Sequence, residues 1–160
     1  MKRIFSIALV VLLSAADVMA QTTVSELFKS MPDSILPYLT RNNRLDMIDF
    51  MEAKMKAEVT NLLETKTEMT ALDSAHLTIR MSESMVLDMS LMNTAEAYDS
   101  CQQVICLMKT YYIQGKEAEK VPAFYTVKWR PLGILPQYVS LKISSLLRRD
   151  EEVFQKKPIE

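Results

Sequence analysis

SMPDSILPYLTRNNRLDMIDF, residues 30–50, places two prolines, several apolar side chains and the start of a helix in one short run. Proline moves the residue before it out of the helical region, so Pro32 ends any preceding helix and Pro37 shortens the next helical piece. Beyond the second proline, apolar residues around Ile48 recur at helical spacing. The pattern therefore predicts a main helix that ends near Val59.

The apolar periodicity changes from helical to alternating after about residue 60, which indicates strands. The alternation predicts strands at residues 65–72, 77–82, 85–91, 104–113 and 123–130. Two polar stretches, 93–100 and 114–120, are interpreted as loops. We therefore predict an α+β fold, in which N-terminal helices pack on one face of an antiparallel sheet of about five strands.

Residues 1–20 have the parts of a secretory signal peptide, with cleavage expected after Ala20. The apolar run is too short to span a membrane. Gln21 rather than a cysteine follows the cleavage site, which disfavours a lipoprotein. We expect a periplasmic or secreted protein with a single α+β domain at residues 21–149 and a frayed, charged tail at 150–160. An uncleaved membrane anchor is the alternative interpretation of the N-terminal segment.

Several segments carry a resemblance to a known family: MPDSILPYLT at 31–40, NNRLDMIDFM at 42–51, EMTAL at 68–72, DSCQQVIC at 99–106 and YTVKWRPL at 125–132. Together they resemble a domain-of-unknown-function family of small secreted proteins from Bacteroidales. The resemblance spans most of the chain after the signal peptide. It implies no activity, because the family has none assigned.

Two Asp-Ser-apolar tripeptides, containing Ser34 and Ser74, resemble the O-glycan acceptor motif of secreted proteins from Bacteroidales-type bacteria. Ser74 lies in a predicted turn and is the better candidate. Turn formation explains the same tripeptides without modification, because Asp and Ser both favour turns.

Four consecutive polar residues form the candidate binding site, namely Arg41, Asn42, Asn43 and Arg44. The two arginines suit a carboxylate or a polar glycan group. A capped turn between two helices, with its charges in water, is the alternative interpretation, since Asn favours helix N-caps.

The chain has two cysteines, Cys101 and Cys106. A disulfide is chemically allowed in an exported protein. On one regular strand, however, the two side chains would point to opposite faces, so a bridge needs a bend or a bulge. The alternative is a buried Cys106 with a half-exposed Cys101. The spacing, with one histidine in the whole chain, does not indicate a metal site.

Other titratable residues have both a functional and a structural interpretation. His76 has no catalytic motif around it, so an exposed position at a strand edge is favoured over a general base. Asp46, Asp49 and Glu52 recur at three-residue steps, which fits a solvated helix face better than a metal site.

Methionine is frequent, with 12 residues in the chain. Met81, Met85 and Met89 fall on predicted strand faces. Flexible thioether side chains fit either an adaptable apolar groove, for lipid or peptide, or gap filling in the core.

The composition disfavours several classes of function. A formal net charge of −1 gives no electrostatic signature for nucleic acid. With two glycines in the chain, no phosphate loop or dinucleotide fingerprint is present, and we predict no cofactor and no catalytic residue.

The sequence favours a non-enzymatic accessory or binding domain of the cell envelope. Its partner would be an unknown protein or an apolar ligand, bound through one face or one edge of the sheet. The predicted strand at 104–113 would accept an added strand only if it lay at an edge. The alternative is a small hydrolase with an unrecognised carboxylate site.

Overall fold

The structure is a computed structural model that describes residues 22–132. Its helices are α1 (Val24–Ser30) and α2 (Arg41–Glu52). Its strands are β1 (Ala57–Thr60), β2 (Lys66–Leu72), β3 (His76–Ser82), β4 (Met85–Tyr98), β5 (Cys101–Ile113) and β6 (Lys116–Thr126). The predicted signal peptide and the charged tail lie outside the described residues. Within the described part, no helix is long and apolar enough to cross a membrane.

Both helices begin after a threonine that satisfies a free backbone N–H group of the first turn. The Thr23 hydroxyl accepts a hydrogen bond from the Glu26 backbone N–H (3.3 Å). At α2, Thr40 and Asn43 form a capping box, in which each side chain accepts from the other residue's backbone N–H, at 3.2 Å in both directions. These caps fix the residue at which each helix starts.

The main helix is shorter than the sequence predicts. It ends at Glu52, and Lys54 follows with φ of 56°, a left-handed conformation that terminates the helix. The chain then forms β1, which includes Val59, the residue where the helix was expected to end. Residues 31–40, which contain both prolines, form turns rather than a helix.

The six strands form one antiparallel sheet whose spatial order is the order of the sequence. Asp99 and Ser100 make the turn between β4 and β5, with φ of 53° and 66°. Gln114 and Gly115 make the turn between β5 and β6, with φ of 52° and 75°. Two consecutive residues with positive φ match the right-handed twist of paired strands. Each strand therefore returns directly along its predecessor.

Two segments that the sequence predicts as loops belong to strands. Residues 93–100 are polar, but β4 continues to Tyr98 and pairs with β5. Residues 114–120 are mostly charged or polar, but β6 already starts at Lys116. Several side chains of both segments are exposed. A polar composition therefore does not prevent strand pairing at the ends of these hairpins.

Most of the core lies between the helices and one face of the sheet, which we call the helix-side face. The buried residues of the helices and their connecting loop are Val24, Leu27, Phe28, Met31, Leu36, Leu39, Met47 and Ile48. Those of β1 to β5 are Ala57, Met69, Leu77, Ile79, Met81, Leu87, Met89, Ile105 and Leu107. A smaller buried cluster on the opposite face consists of Met92, Val104, Cys106 and Phe124. Alternate residues of β4 and β5 thus serve different clusters.

The predicted fold class is wrong. The prediction was an α+β fold with a layer of helices on about five strands, whereas the described residues form mainly an antiparallel sheet of six strands with two short helices. The sequence prediction extends the helix around Ile48 too far. It also misses β1, whose four residues are too few to show alternation. The added length of β4 and β6 shifts the balance further towards strand.

Candidate functional site

Three large apolar side chains are exposed near the end of β1. Tyr38, Leu62 and Leu63 are 50%, 64% and 56% exposed. The Leu62 backbone N–H donates to the Tyr38 carbonyl oxygen (2.9 Å), which joins the β1–β2 turn to the loop before α2. Arg41 and Asn42, in the first turn of α2, are also exposed. We call these five residues the Tyr38–Leu63 surface.

The buried side chain of Asn61 fixes the turn that presents the two leucines. Asn61 Oδ1 accepts hydrogen bonds from the backbone N–H groups of Leu63 (2.9 Å) and Thr65 (3.2 Å). Asn61 Nδ2 donates to the hydroxyl oxygens of Thr65 (2.7 Å) and Thr67 (3.0 Å). These bonds use both donors and both acceptor positions of the amide. An ordered turn therefore keeps both leucine side chains exposed to solvent.

Two of the four predicted binding residues, Arg41 and Asn42, lie in the Tyr38–Leu63 surface. Asn43 serves the α2 capping box, and its Nδ2 donates to the Thr60 carbonyl oxygen (3.2 Å). This bond connects the start of α2 to the end of β1. A polar contact site therefore remains a prediction for Arg41 and Asn42, the two exposed residues.

The fourth predicted binding residue, Arg44, is 1% exposed and points into the protein. Its guanidinium group donates to main-chain carbonyl oxygens and to the Asp33 carboxylate (2.9 Å). The guanidinium group of Arg44 is buried with these partners, of which only Asp33 is exposed, and it is not presented to an external ligand.

A second polar group lies on the sheet face opposite the helices. Asp88 Oδ1 is 3.4 Å from His76 Nε2 and accepts a hydrogen bond from the Thr78 hydroxyl (2.6 Å). Hydrogen bonding to Asp88 raises the pKa of His76. Burial alone would raise the pKa of Asp88, but the hydrogen bonds from His76 and Thr78, with the charges of His76 and Lys120, lower it. Chemically, this pair can hold or release a proton at His76.

The acidic residues of α2 are surface groups. Asp46, Asp49 and Glu52 are all exposed, which agrees with a solvated helix face. Between residues 22 and 132, no cluster of three or more His, Cys, Asp or Glu side chains has an arrangement that could hold a metal ion.

Both cysteines are free thiols. Cys106 lies in the buried cluster opposite the helices, and burial, with the charge of Asp88, raises its pKa to about 11. Cys101 is half-buried, with its Sγ 3.9 Å from Gln103 Oε1. This placement corresponds to the alternative of one buried and one half-exposed cysteine.

The methionine groove hypothesis is wrong for the residues that suggested it. Met81 and Met89 are buried in the helix-side core, and Met85 packs against that core. Their thioether side chains fill space between the sheet and the helices.

Both candidate glycan acceptors are exposed serines in turns. Ser74 lies between β2 and β3, where Asp73 Oδ1 accepts from the backbone N–H groups of Ala75 and His76, both at 2.8 Å. This is an Asx turn. Ser34 lies in the loop before α2. Modification of either hydroxyl stays a prediction.

The apolar part of the Tyr38–Leu63 surface was not predicted from the sequence. The signal was a Leu-Leu pair inside the segment 61–65, which otherwise has the polar composition of a turn between two strands. Asn61 at its start is a turn-forming residue. A short hairpin turn cannot bury two consecutive leucines. The Leu-Leu pair could therefore have predicted an exposed apolar surface at this turn.

The fold defines the chain as a β-meander domain with two helices on one face of its sheet. A family model described as "Protein of unknown function (DUF3256)" matches residues 15–156, and the chain belongs to this family. The predicted membership of a domain-of-unknown-function family is thereby confirmed. No curated protein matches the sequence.

A solved structure described as "Structure of a domain of an uncharacterized protein from Porphyromonas gingivalis W83" has a similar fold, with a TM-score of 0.54 and 23% sequence identity. The similarity covers 69% of this chain and 53% of that chain, so this chain matches about half the length of its neighbour. At this identity the comparison shows the fold alone. The source organism belongs to Bacteroidales, the order named by the sequence resemblance.

Proposed function

We propose that this protein is an exported, non-enzymatic accessory domain of the cell envelope that binds a partner protein through the Tyr38–Leu63 surface. The observation that carries the proposal is the exposure of three large apolar side chains on a backbone that is fixed by internal hydrogen bonds. A pre-ordered apolar surface loses little conformational entropy on binding.

The composition of this surface favours a protein partner over a lipid bilayer. Tyr and Arg are the residue types that most often dominate binding energy in protein interfaces, and Tyr38 and Arg41 supply one of each. Glu64 is exposed directly after Leu63. A carboxylate at that position opposes insertion of the leucines into hydrocarbon.

Addition of a partner strand at β5 or at the β6 edge of the sheet is not supported. The predicted strand at 104–113 lies in β5, between β4 and β6, so its backbone groups are already paired. On β6, Pro122 lacks an N–H group. The end of β6 is also covered, because Leu132 N–H donates to the Phe124 carbonyl oxygen (2.9 Å). Binding through side chains of the turns is the better supported route.

Site-specific photo-crosslinking in cells that produce the protein tests the proposal. A photoreactive phenylalanine analogue replaces Leu62 in one variant and Ile113 in another. Ile113, at 68% exposure, is an apolar control of matched accessibility at the β5–β6 turn. We expect a discrete adduct from position 62 that is absent from position 113, with the partner identified by mass spectrometry.

Binding to the purified partner gives the quantitative test. We expect the double variant Leu62→Asp/Leu63→Asp to weaken binding by at least about 10-fold, since hot-spot side chains contribute more than about 1 kcal/mol each. Ile113→Asp should leave the affinity unchanged. Equal crosslinking at both positions, or an unchanged affinity of the double variant, would contradict the proposal.

Export is the second part of the proposal, and it rests on the signal-peptide pattern of residues 1–20. Intact mass and N-terminal sequencing of the protein from its native envelope should give a chain that starts at Gln21. An added mass that disappears in Ser74→Ala would support glycosylation, whereas the bare mass of the mature polypeptide would end that hypothesis. A retained Met1 would contradict cleavage.

The hydrolase alternative is not favoured by a specific observation. In the described part of the chain, the carboxyl groups with a lowered pKa are Glu58 and Asp88. Hydrogen bonds from Lys56 and Lys66 lower the pKa of Glu58 to about 2. Glu58 is on β1 and Asp88 on β4, with two strands between them. They do not converge on a common site as an acid–base pair would.

A further inference from the structure

The guanidinium group of Arg44 donates several hydrogen bonds to the loop that carries Tyr38. Arg44 Nε donates to the Phe28 carbonyl oxygen (3.1 Å), and its Nη2 donates to that of Met31 (2.6 Å). Nη1 donates both to the Leu39 carbonyl oxygen (2.8 Å) and to the Asp33 carboxylate (2.9 Å). One side chain of α2 thus binds the end of α1 and both ends of the loop at residues 31–39.

The backbone bonds within this loop are short-range turns. Ile35 N–H donates to the Pro32 carbonyl oxygen (3.1 Å), and Leu39 N–H donates to that of Leu36 (3.0 Å). Such local turns define the shape of a segment but do not fix its position on the rest of the fold. The bonds from Arg44 connect this segment to the first turn of α2, which is itself fixed by its capping box.

We propose that Arg44 is a positioning residue that holds Tyr38 against the β1–β2 turn, so that the two halves of the Tyr38–Leu63 surface form one rigid unit. This inference rests on the proposed function. Arg44 thereby changes from a predicted binding residue to a positioning residue. Its buried side chain acts on a partner only through the loop at residues 31–39. The direct link between the halves is the bond from Leu62 N–H to the Tyr38 carbonyl oxygen (2.9 Å).

Arginine is required because several carbonyl oxygens approach from different directions. The planar guanidinium group has five N–H donors in a fixed fork, whereas a lysine ammonium group is a compact point charge with three donors. In Arg44→Lys, the positive charge remains, but three donors on one compact ammonium group cannot satisfy all four acceptors, namely the carbonyl oxygens of Phe28, Met31 and Leu39 and the Asp33 carboxylate. A buried carbonyl oxygen without a donor destabilises the conformation that buries it.

Amide hydrogen exchange of the full mature chain tests the proposal without knowledge of the partner. The Leu62 amide reports on the Tyr38 loop directly. Two control amides are bound elsewhere: Leu63 N–H by Asn61 Oδ1 (2.9 Å), and Leu91 N–H by the Ala75 carbonyl oxygen (2.7 Å). We expect Arg44→Lys to accelerate exchange at Leu62 by at least about 10-fold relative to both controls.

A second variant keeps the test decisive if Arg44→Lys fails to fold. Asp33→Asn changes only the carboxylate partner, which is 67% exposed, and retains the guanidinium group. We expect it to accelerate Leu62 exchange in the same direction by a smaller factor of about 2 to 5. An equal change at all three amides, or an unchanged Leu62 rate in each variant that folds, would overturn the proposal.

The outcome is separable from that of the proposed function. If crosslinking at position 62 shows no partner while Arg44→Lys selectively frees the Leu62 amide, Arg44 positions the loop but the surface is not a binding site. If a partner is found, Arg44→Lys should reduce its affinity by about the factor by which Leu62 exchange increases, because pre-organisation is lost.

Discussion

At the scale of single residues, His76 and Asp88 make stability depend on pH. The pKa of His76 is raised above 6.5, so its contribution is complete below pH 6.5 and is lost as pH rises through the raised pKa. The pKa of Asp88 is lowered below 3.8, so its contribution is present above pH 3.8 and is lost as pH falls through the lowered pKa. The side chains are 39% and 33% exposed, which limits the effect.

Replacing His76 with Gln removes the member of this pair that titrates near neutral pH, whereas Asp88 titrates in acid. We expect the unfolding free energy of the wild-type protein to fall by a fraction of about 1 kcal/mol between about pH 6 and pH 8. The variant should not show this decrease. Urea unfolding followed by circular dichroism at several pH values gives the measurement. His76 is the one histidine in the chain, so no second imidazole titrates in this range. Parallel pH profiles of both proteins would contradict the expectation.

Arg44 shows how far residue-level prediction from sequence can go. It shares a helical line with Met47, Ile48 and Met51, at spacings of three, four and seven residues, and that line faces the core. The spacing could have predicted that Arg44 points inward rather than to a ligand. The carbonyl oxygens that receive its hydrogen bonds come from an earlier helix and a proline-containing loop, and their arrangement depends on the tertiary fold.

At the scale of elements, alternation predicts strands well where a strand has one buried and one more polar face. Leu77, Ile79 and Met81 are all buried on the helix-side face, and the sequence places a strand there. Alternation does not predict the shortest strand, β1, or the full length of the long strands β4 and β6. β1 is too short to show a period, and the ends of β4 and β6 are stabilised by backbone pairing to β5 rather than by apolar side chains.

The two cysteines of β5 provide a prediction for this element. Cys106 is buried with a pKa raised to about 11, so it has little thiolate at neutral pH, whereas Cys101 is half-buried. We expect maleimide to label Cys101 in the folded protein and both thiols in urea, as counted by intact mass. Cys101→Ser should abolish rapid labelling. Resistance of both residues to labelling in urea, reversed by reductant, would instead indicate a disulfide.

At the scale of the whole molecule, a contact between residues far apart in sequence connects α1 to the end of the sheet. Trp129 Nε1 donates to the Leu27 carbonyl oxygen (3.2 Å), and the indole is buried in the helix-side core. Its ring lies 5.6 Å from that of Tyr125 at the end of β6. The first helix and the last strand of the described part therefore share one core. Local patterns in sequence cannot predict such a contact, because it depends on the path of every intervening hairpin.

This shared core predicts that the chain from Gln21 onwards unfolds cooperatively as a single domain. Trp129 is the one tryptophan, so its fluorescence reports on the contact with α1, while circular dichroism reports on the whole sheet. We expect both signals to change at the same urea concentration, as in a two-state transition. Trp129→Phe, followed by circular dichroism, should lower the unfolding free energy by about 1 kcal/mol through loss of the indole hydrogen bond. A fluorescence transition at lower urea than the dichroism transition would show that α1 and the segment around Trp129 separate from the sheet before it unfolds, and that the core is not one cooperative unit.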